Sequence, residues 1–264
     1  SDYPRFGTPV NVGQAVVDAG FDVVTCATNH ALDRGAEGVD FTKRFFEDNH
    51  VACLGIQAAG EIENQPYVVI WRKGVSFALL NYTYGTNGIR MPEGNPNMVH
   101  LFPDGEFPDG KFSDGEFSDG ELPDEEFQDN KLREVIAQAR SEADLVIVFA
   151  HWGTEYAQET DAFQRWWTQV FLESGVDVVV GTHPHVLQPF EMLTADDGHR
   201  MLVYYSIGNF ISAQPEKRCV RGGMAEFTVS LTPTGYQVTE YGLQPLAIEW
   251  SPGGKYVAVP ELYE

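Results

Sequence analysis

The sequence predicts an α/β fold, a layered sheet with helices between buried strands. Three observations point there. Runs of consecutive apolar, mostly β-branched residues recur at 21–26, 144–150 and 176–181, the pattern of strands buried on both faces. Strand, polar loop and helix signals alternate over much of the chain. The last third turns to extended or alternating runs, so the domain is expected to end in antiparallel strands.

Each element has its own signal. Thr8-Pro9 caps and opens a helix that runs to Ala19 and stops at Gly20, the order in which Pro starts and Gly ends helices. The strand at 21–26 leads into a polar loop, 27–35, and a helix at 36–48 on which Val39, Phe45 and Phe46 are apolar. Residues 51–55 read as a short strand. Residues 67–71 and 75–82 read as a hairpin turning at Arg72-Lys73-Gly74. Helices are expected at 128–142 and 163–174, with extended runs at 187–193, 201–205, 224–231 and 236–248. No linker divides the chain, so residues 1–264 are expected to form one domain.

One stretch, about 101–130, differs in kind: LFPDG, EFPDG, KFSDG, EFSDG, ELPDE, EFQDN. A five-residue period matches neither helix nor strand. The composition is that of an acidic surface insertion; the spaced Asp residues would suit loose Ca²⁺ binding.

The formal net charge is −22, from 39 acidic and 17 basic residues. That field repels nucleic acid and anionic membrane surfaces and gathers cations. Cys26, Cys53 and Cys219 have no metal-knuckle spacing, and they read as core or half-buried thiols. No run reaches the ~18 apolar residues of a membrane span. The opening Ser1-Asp2-Tyr3-Pro4 reads as a trimmed or processed start, without a signal peptide.

Four of the seven histidines follow the apolar strands, at the strand ends where open α/β sheets place their sites. His30 lies in the loop after the first, His151 directly after the second, and His183 and His185 after the third. Pro184 is expected to hold His183-Pro184-His185 extended, so that both imidazoles face one cation or two neighbouring ones. Imidazole suits Zn and Fe, and mixed N/O ligation admits Mn. A structural reading stands beside this one: Asn29 as a turn residue, Asp33 as part of a helix cap, Gly208-Asn209 as a turn pair, and the histidines as hydrogen-bonding residues. Trp152, Trp166 and Trp167 read as core.

The segments GFDVVTCATNHALDRG (20–35), HWGTEY (151–156), GTHPHVLQP (181–189) and YSIGNF (205–210) resemble, in content and order, the signature blocks of the bacterial poly-γ-glutamate capsule synthesis (CapA) family. That family is similar in fold to the calcineurin-like metallophosphoesterases. The resemblance implies an α-β-β-α sandwich. It implies metal ligation by Asn29, His151, His183 and His185, with His30 serving the reacting group. Asp33, Glu155 and Asn209 would stand on the substrate side. One or two divalent ions (Mn, Fe or Zn) are implied. The family's pattern opens on a strand ending in Gly-Asp and continues to an Asn-x-Glu segment, both supplying carboxylate ligands before the Asn-His block. Neither is present here, and Asp2 has no such context. The resemblance therefore implies a sheet without its opening strand, a poorer metal set, and an edge that a second copy would fill by strand exchange.

The expected function is a metal-dependent hydrolase or transferase in synthesis or export of an anionic capsule polymer, poly-γ-glutamate. The alternative is a non-catalytic polymer-binding accessory protein. The expected partners are the polymer or a phosphate-containing small molecule, and membrane capsule-synthesis proteins, at the outer face of the cell membrane.

Overall fold

A computed structural model describes residues 5–61, 65–103, 129–214, 216–251 and 255–261. Most of the acidic repeat, 104–128, lies outside them, and so does the expectation of an insertion there.

The described chain runs α1 (Val10–Asp18), β1 (Val23–Thr25), α2 (Gly35–Asp48), β2 (Ala52–Leu54), β3 (Val68–Arg72), β4 (Val75–Thr83), α3 (Asn130–Glu142), β5 (Leu145–His151), α4 (Ala162–Glu173), β6 (Val178–Thr182), β7 (Phe190–Thr194), β8 (Arg200–Tyr204), a short 3₁₀ turn (Lys217–Val220), β9 (Arg221–Thr232), β10 (Gly235–Ser251) and β11 (Lys255–Pro260). Six strands form the main sheet in the order β3-β4-β5-β6-β8-β7. Its centre, β4-β5-β6-β8, is parallel, and the antiparallel β3 and β7 close its edges. The β3–β4 hairpin turns on Lys73 (φ 50°) and Gly74 (φ 84°), the two left-handed residues that a tight hairpin turn needs.

Period-two alternation sends the two faces of this sheet into different cores. Ala78, Leu80 and Tyr82 of β4 and Val146, Val148 and Ala150 of β5 face α3 and α4, where Trp152, Trp167 and Phe171 are fully buried. Deleting a ring such as Phe171 from this layer costs about 3–5 kcal/mol. The residues between them, Leu79 and Ile147, join Val178 and Tyr204 on the other face. There they pack on Leu54 of β2, Val23 of β1, and Phe227 and Val238 of the antiparallel β11-β10-β9 sheet. A third core, with Ala27, Leu32, Val39 and Cys53, lies beneath α2. The layers are therefore helix, sheet, sheet, helix.

Three expectations are corrected. The run at 21–26 is not a buried strand of the main sheet. β1 is half-buried and pairs in parallel with β2 in a separate two-stranded sheet, because the continuous apolar run covers one core on each side rather than a central position. The run at 201–205 does not belong to an antiparallel terminal block: β8 is parallel to β6 and antiparallel to β7. His183-Pro184-His185 is not extended. His183 (φ 99°) and His185 (φ 63°) both have positive φ, against the extended bias that proline imposes on the residue before it, in a loop whose Pro184 carbonyl accepts the Tyr156 N–H at 2.8 Å.

Candidate functional site

Four loops meet at the carboxyl ends of β1, β4, β5 and β6. The first is anchored across the sheets by Asn81 of β4. Its Oδ1 accepts from the Ala27 backbone N–H (2.7 Å), and its Nδ2 donates to the Phe149 carbonyl (3.1 Å). Gly55 (φ 81°) makes room, because a Cβ there would lie 2.3 Å from Asn81 Oδ1 and 2.6 Å from Ala27 Cβ. The loop thus reaches the main sheet's edge although β1 belongs to another sheet. The loop at 154–161 is held by a capping box at α4, between Asp161 and Gln164, with Thr154 donating to Asp161 (2.9 Å). That fixes the segment carrying Glu155.

The inner part of the site is formed by His151, His183 and Asn29. His151 Nε2 faces Asn29 Oδ1 at 2.9 Å, and its Nδ1 meets Thr182 Oγ1 at 3.1 Å. The His151 and His183 rings lie 4.9 Å apart. Tyr84, at the end of β4, lies against His183 (4.7 Å) and parallel to His151 (6.4 Å). His183 is buried, and its Nε2 has no hydrogen-bond partner among the described residues. Burial, then the neighbouring imidazole charges, hold His151 well below the usual histidine range. Burial first, opposed by Glu155, brings His183 down to about 4. Burial and the Glu155 charge push the Tyr84 phenol up to about 12.

The outer part has two histidines set against carboxylates. His30 Nδ1 lies 2.8 Å from Asp33 Oδ2, and the same carboxylate oxygen accepts the Phe6 N–H (2.7 Å). Asp33 is thus an orienting partner for His30, and the N-cap position of α2 is Arg34, which makes no side-chain cap. The Phe6 ring meets His30 edge-on at 4.7 Å, and Asn87 bridges Asn29 (3.1 Å) and His30 (3.4 Å). His185 Nδ1 meets Asn209 Oδ1 at 3.0 Å, and its Nε2 faces Glu155 at 3.7 Å. Burial opposes charge at His185, but Glu155 and Asn209 outweigh it and raise its pKa. Contact with His185 in turn lowers that of Glu155.

Asn29, His30, Asp33, His151, Glu155, His183, His185 and Asn209 all fall in this one region. His185 is the outlying member, 6.2 Å ring to ring from His183 and turned toward Glu155 and Asn209. Tyr84, Thr182, Asn87 and Phe6 also belong to it. Tyr84 and Thr182 could have been found by the strand-end rule that found His151; Phe6 and Asn87 have no sequence signal.

The inner residues fit a divalent cation. Imidazole nitrogens bound to one cation place their rings about 5 Å apart, and an amide oxygen and a ring nitrogen sharing it lie about 3 Å apart; His151, His183 and Asn29 match both. A buried imidazole nitrogen without a partner is a donor awaiting one. The set is sparse, since among the described residues no three of His, Cys, Asp and Glu form a metal-binding group.

The family model described as "Bacterial capsule synthesis protein PGA_cap" matches residues 1–214. The chain is similar to a PGA biosynthesis protein CapA of Bacillus subtilis (strain 168), 26% identical over 84% of this chain and 51% of that protein. It is also similar to a capsule biosynthesis protein CapA of Bacillus anthracis, 27% identical over 81% of this chain and 46% of that one. The chain spans about half the length of these curated relatives. Among solved structures, a candidate 5'-nucleotidase from Staphylococcus aureus matches 88% of this chain and 40% of its own, with a TM-score of 0.52 and 14% identity. That likeness is one of fold.

Proposed function

Since the chain belongs to the bacterial capsule synthesis protein (PGA_cap) family, we propose that it is a metal-dependent hydrolase or transferase. It acts on a phosphoester- or acyl-type bond in the making or export of an anionic capsule polymer such as poly-γ-glutamate. The observation that carries this reading is the junction of two unlike groups at one strand edge. An inner cluster, buried Asn29 and His183 with half-buried His151, stands beside an imidazole, His30, oriented by Asp33.

Asn29, His151 and His183 would hold a divalent ion (Mn, Fe or Zn). When bound, such an ion polarises a phosphoryl or carbonyl oxygen and stabilises charge that develops on it. Thr182 Oγ1 at His151 Nδ1 fixes which nitrogen of that ring is presented to the ion. Asp33 takes the proton side of His30 Nδ1, which leaves Nε2 to carry a proton toward the leaving group. His185, set between Glu155 and Asn209, stands at the rim, where a substrate would enter. The sequence-based partners belong to the same reading: the polymer or a phosphate-containing small molecule as substrate, membrane capsule-synthesis proteins as neighbours, strand exchange with a second copy, and a place at the outer face of the membrane. Among the described residues no helix is long and apolar enough to cross a membrane.

The test is hydrolysis of an activated phosphoester, p-nitrophenyl phosphate, by the chain reconstituted with Mn, Fe or Zn. Metal-dependent turnover lost in His30→Ala, with folding intact, supports the enzyme. A metal-loaded, folded chain without turnover contradicts it. The sparse ligand set favours a second reading, a non-catalytic accessory protein that guides polymer through the same cleft. Polymer binding that persists in His183→Ala/His185→Ala without any turnover would favour it.

A further inference from the structure

Cys26 and Cys53 lie 27 residues apart in sequence, with their Sγ atoms 3.5 Å apart. Their placement follows from the β1–β2 register. Val24 pairs with Cys53, and Cys26 lies two residues beyond Val24, so all three side chains share one face of the two-stranded sheet. Both thiols pack in the small core beneath α2. Cys53 is buried, Cys26 is half-buried, and Cys219 stands apart in the 3₁₀ turn.

We propose that Cys26 and Cys53 form a dithiol–disulfide modification site, closed by a small-molecule disulfide and reopened by a thiol reductant. The sulfurs need to approach by about 1.5 Å to reach the ~2.05 Å bond length. Little stands between them, and Cys26 sits at the end of a short strand where the chain passes into a loop. The closure proceeds by exchange. The Cys26 thiolate, the more accessible of the two, attacks one sulfur of the small disulfide and releases one small thiol. The Cys53 sulfur then gives up its proton and attacks Cys26 Sγ, which expels the second small thiol. Two protein thiols lose two electrons and two protons, and the small disulfide gains them. Contact with Cys26, then burial, raise the Cys53 thiol above its ordinary range, consistent with Cys26 reacting first.

The bond would matter because of where Cys26 lies. Its N–H donates to the Leu54 carbonyl, the next residue is held by Asn81, and Asn29 and His30 follow. A Cys26–Cys53 bond would staple the root of that loop to β2. This inference does not depend on the proposed catalysis, and its test reads no activity.

The wild-type chain is equilibrated with oxidised glutathione, quenched in acid, alkylated with iodoacetamide in denaturant and mapped by non-reducing peptide mass spectrometry. The expected result is a Cys26–Cys53 cross-linked peptide, Cys219 alkylated alone, and reversal by dithiothreitol. Oxidation should also raise the thermal midpoint of the wild type by roughly 5 °C or more, with no rise in Cys26→Ser or Cys53→Ser. Alkylation of both thiols, a glutathione adduct that persists on Cys26, or a cross-link through Cys219 would each overturn the proposal. Mass mapping of the wild type decides this even if a serine variant does not fold.

Discussion

The inner and outer histidines of the site differ in what they face. His183 is buried and His151 half-buried, packed against aromatic Tyr84 and each other without a carboxylate within hydrogen-bonding distance among the described residues, and desolvation lowers the pKa of both. His30 and His185 sit at the rim, each with a carboxylate partner, Asp33 and Glu155. A neutral imidazole offers a lone pair, and a carboxylate-paired one offers a proton. On the proposed reading the same side chain would serve two tasks, separated by the neighbouring carboxylate.

The hardest test of that division removes the inner pair. His151→Ala/His183→Ala should lower metal-dependent phosphoester hydrolysis by about 10³-fold or more, to background. His30→Ala should lower kcat by about 10²-fold or more while metal content stays that of the wild type; a parallel loss of metal would erase the distinction. Asp33→Asn, which keeps shape but removes the orienting charge, should lower kcat about 10-fold. Glu155→Gln should lower the His185 pKa, read from the imidazole NMR titration, with a few-fold effect on turnover.

The smallest effect sharpens the comparison from outside the site. His100, buried beside Tyr82, is brought down to about 4 by burial first and then by Lys43. Its folded pKa lies below the ordinary value, so the unfolded chain takes the proton first. Its neutral form is fully accommodated above about pH 6.5, and stability falls as pH drops toward 4, by roughly 3 kcal/mol for this group. Urea midpoints of His100→Leu should decline less than those of the wild type over that window, and added metal should not rescue the difference.

Much of this was legible in the residues. The β3–β4 hairpin announced itself through Lys73-Gly74, and α1 through Pro9 and Gly20. The runs around Val148 and Val179 marked central strands because both of their faces are covered. The run around Val24 reads the same but lies in another sheet, since local hydrophobicity reports burial and not which partner supplies it. The site was legible as a set of strand-end positions: His30, His151, His183 and His185 were placed together on that rule alone. Their roles were not, because the left-handed turns at His183 and His185, and the side chains of Tyr84 and Asn87 between them, arise from tertiary contacts. β11 was missed: its short alternating run carries little signal until β10 is beside it.

The division of labour is tested most directly by metal content. The wild-type chain, His151→Ala/His183→Ala and His30→Ala would each be reconstituted with Mn, Fe or Zn, freed of excess ion and measured by elemental analysis. Metal retained by the wild type and by His30→Ala, and lost from the inner double variant, is the predicted result. Metal retained without His151 and His183, or none held by the wild type, would contradict it.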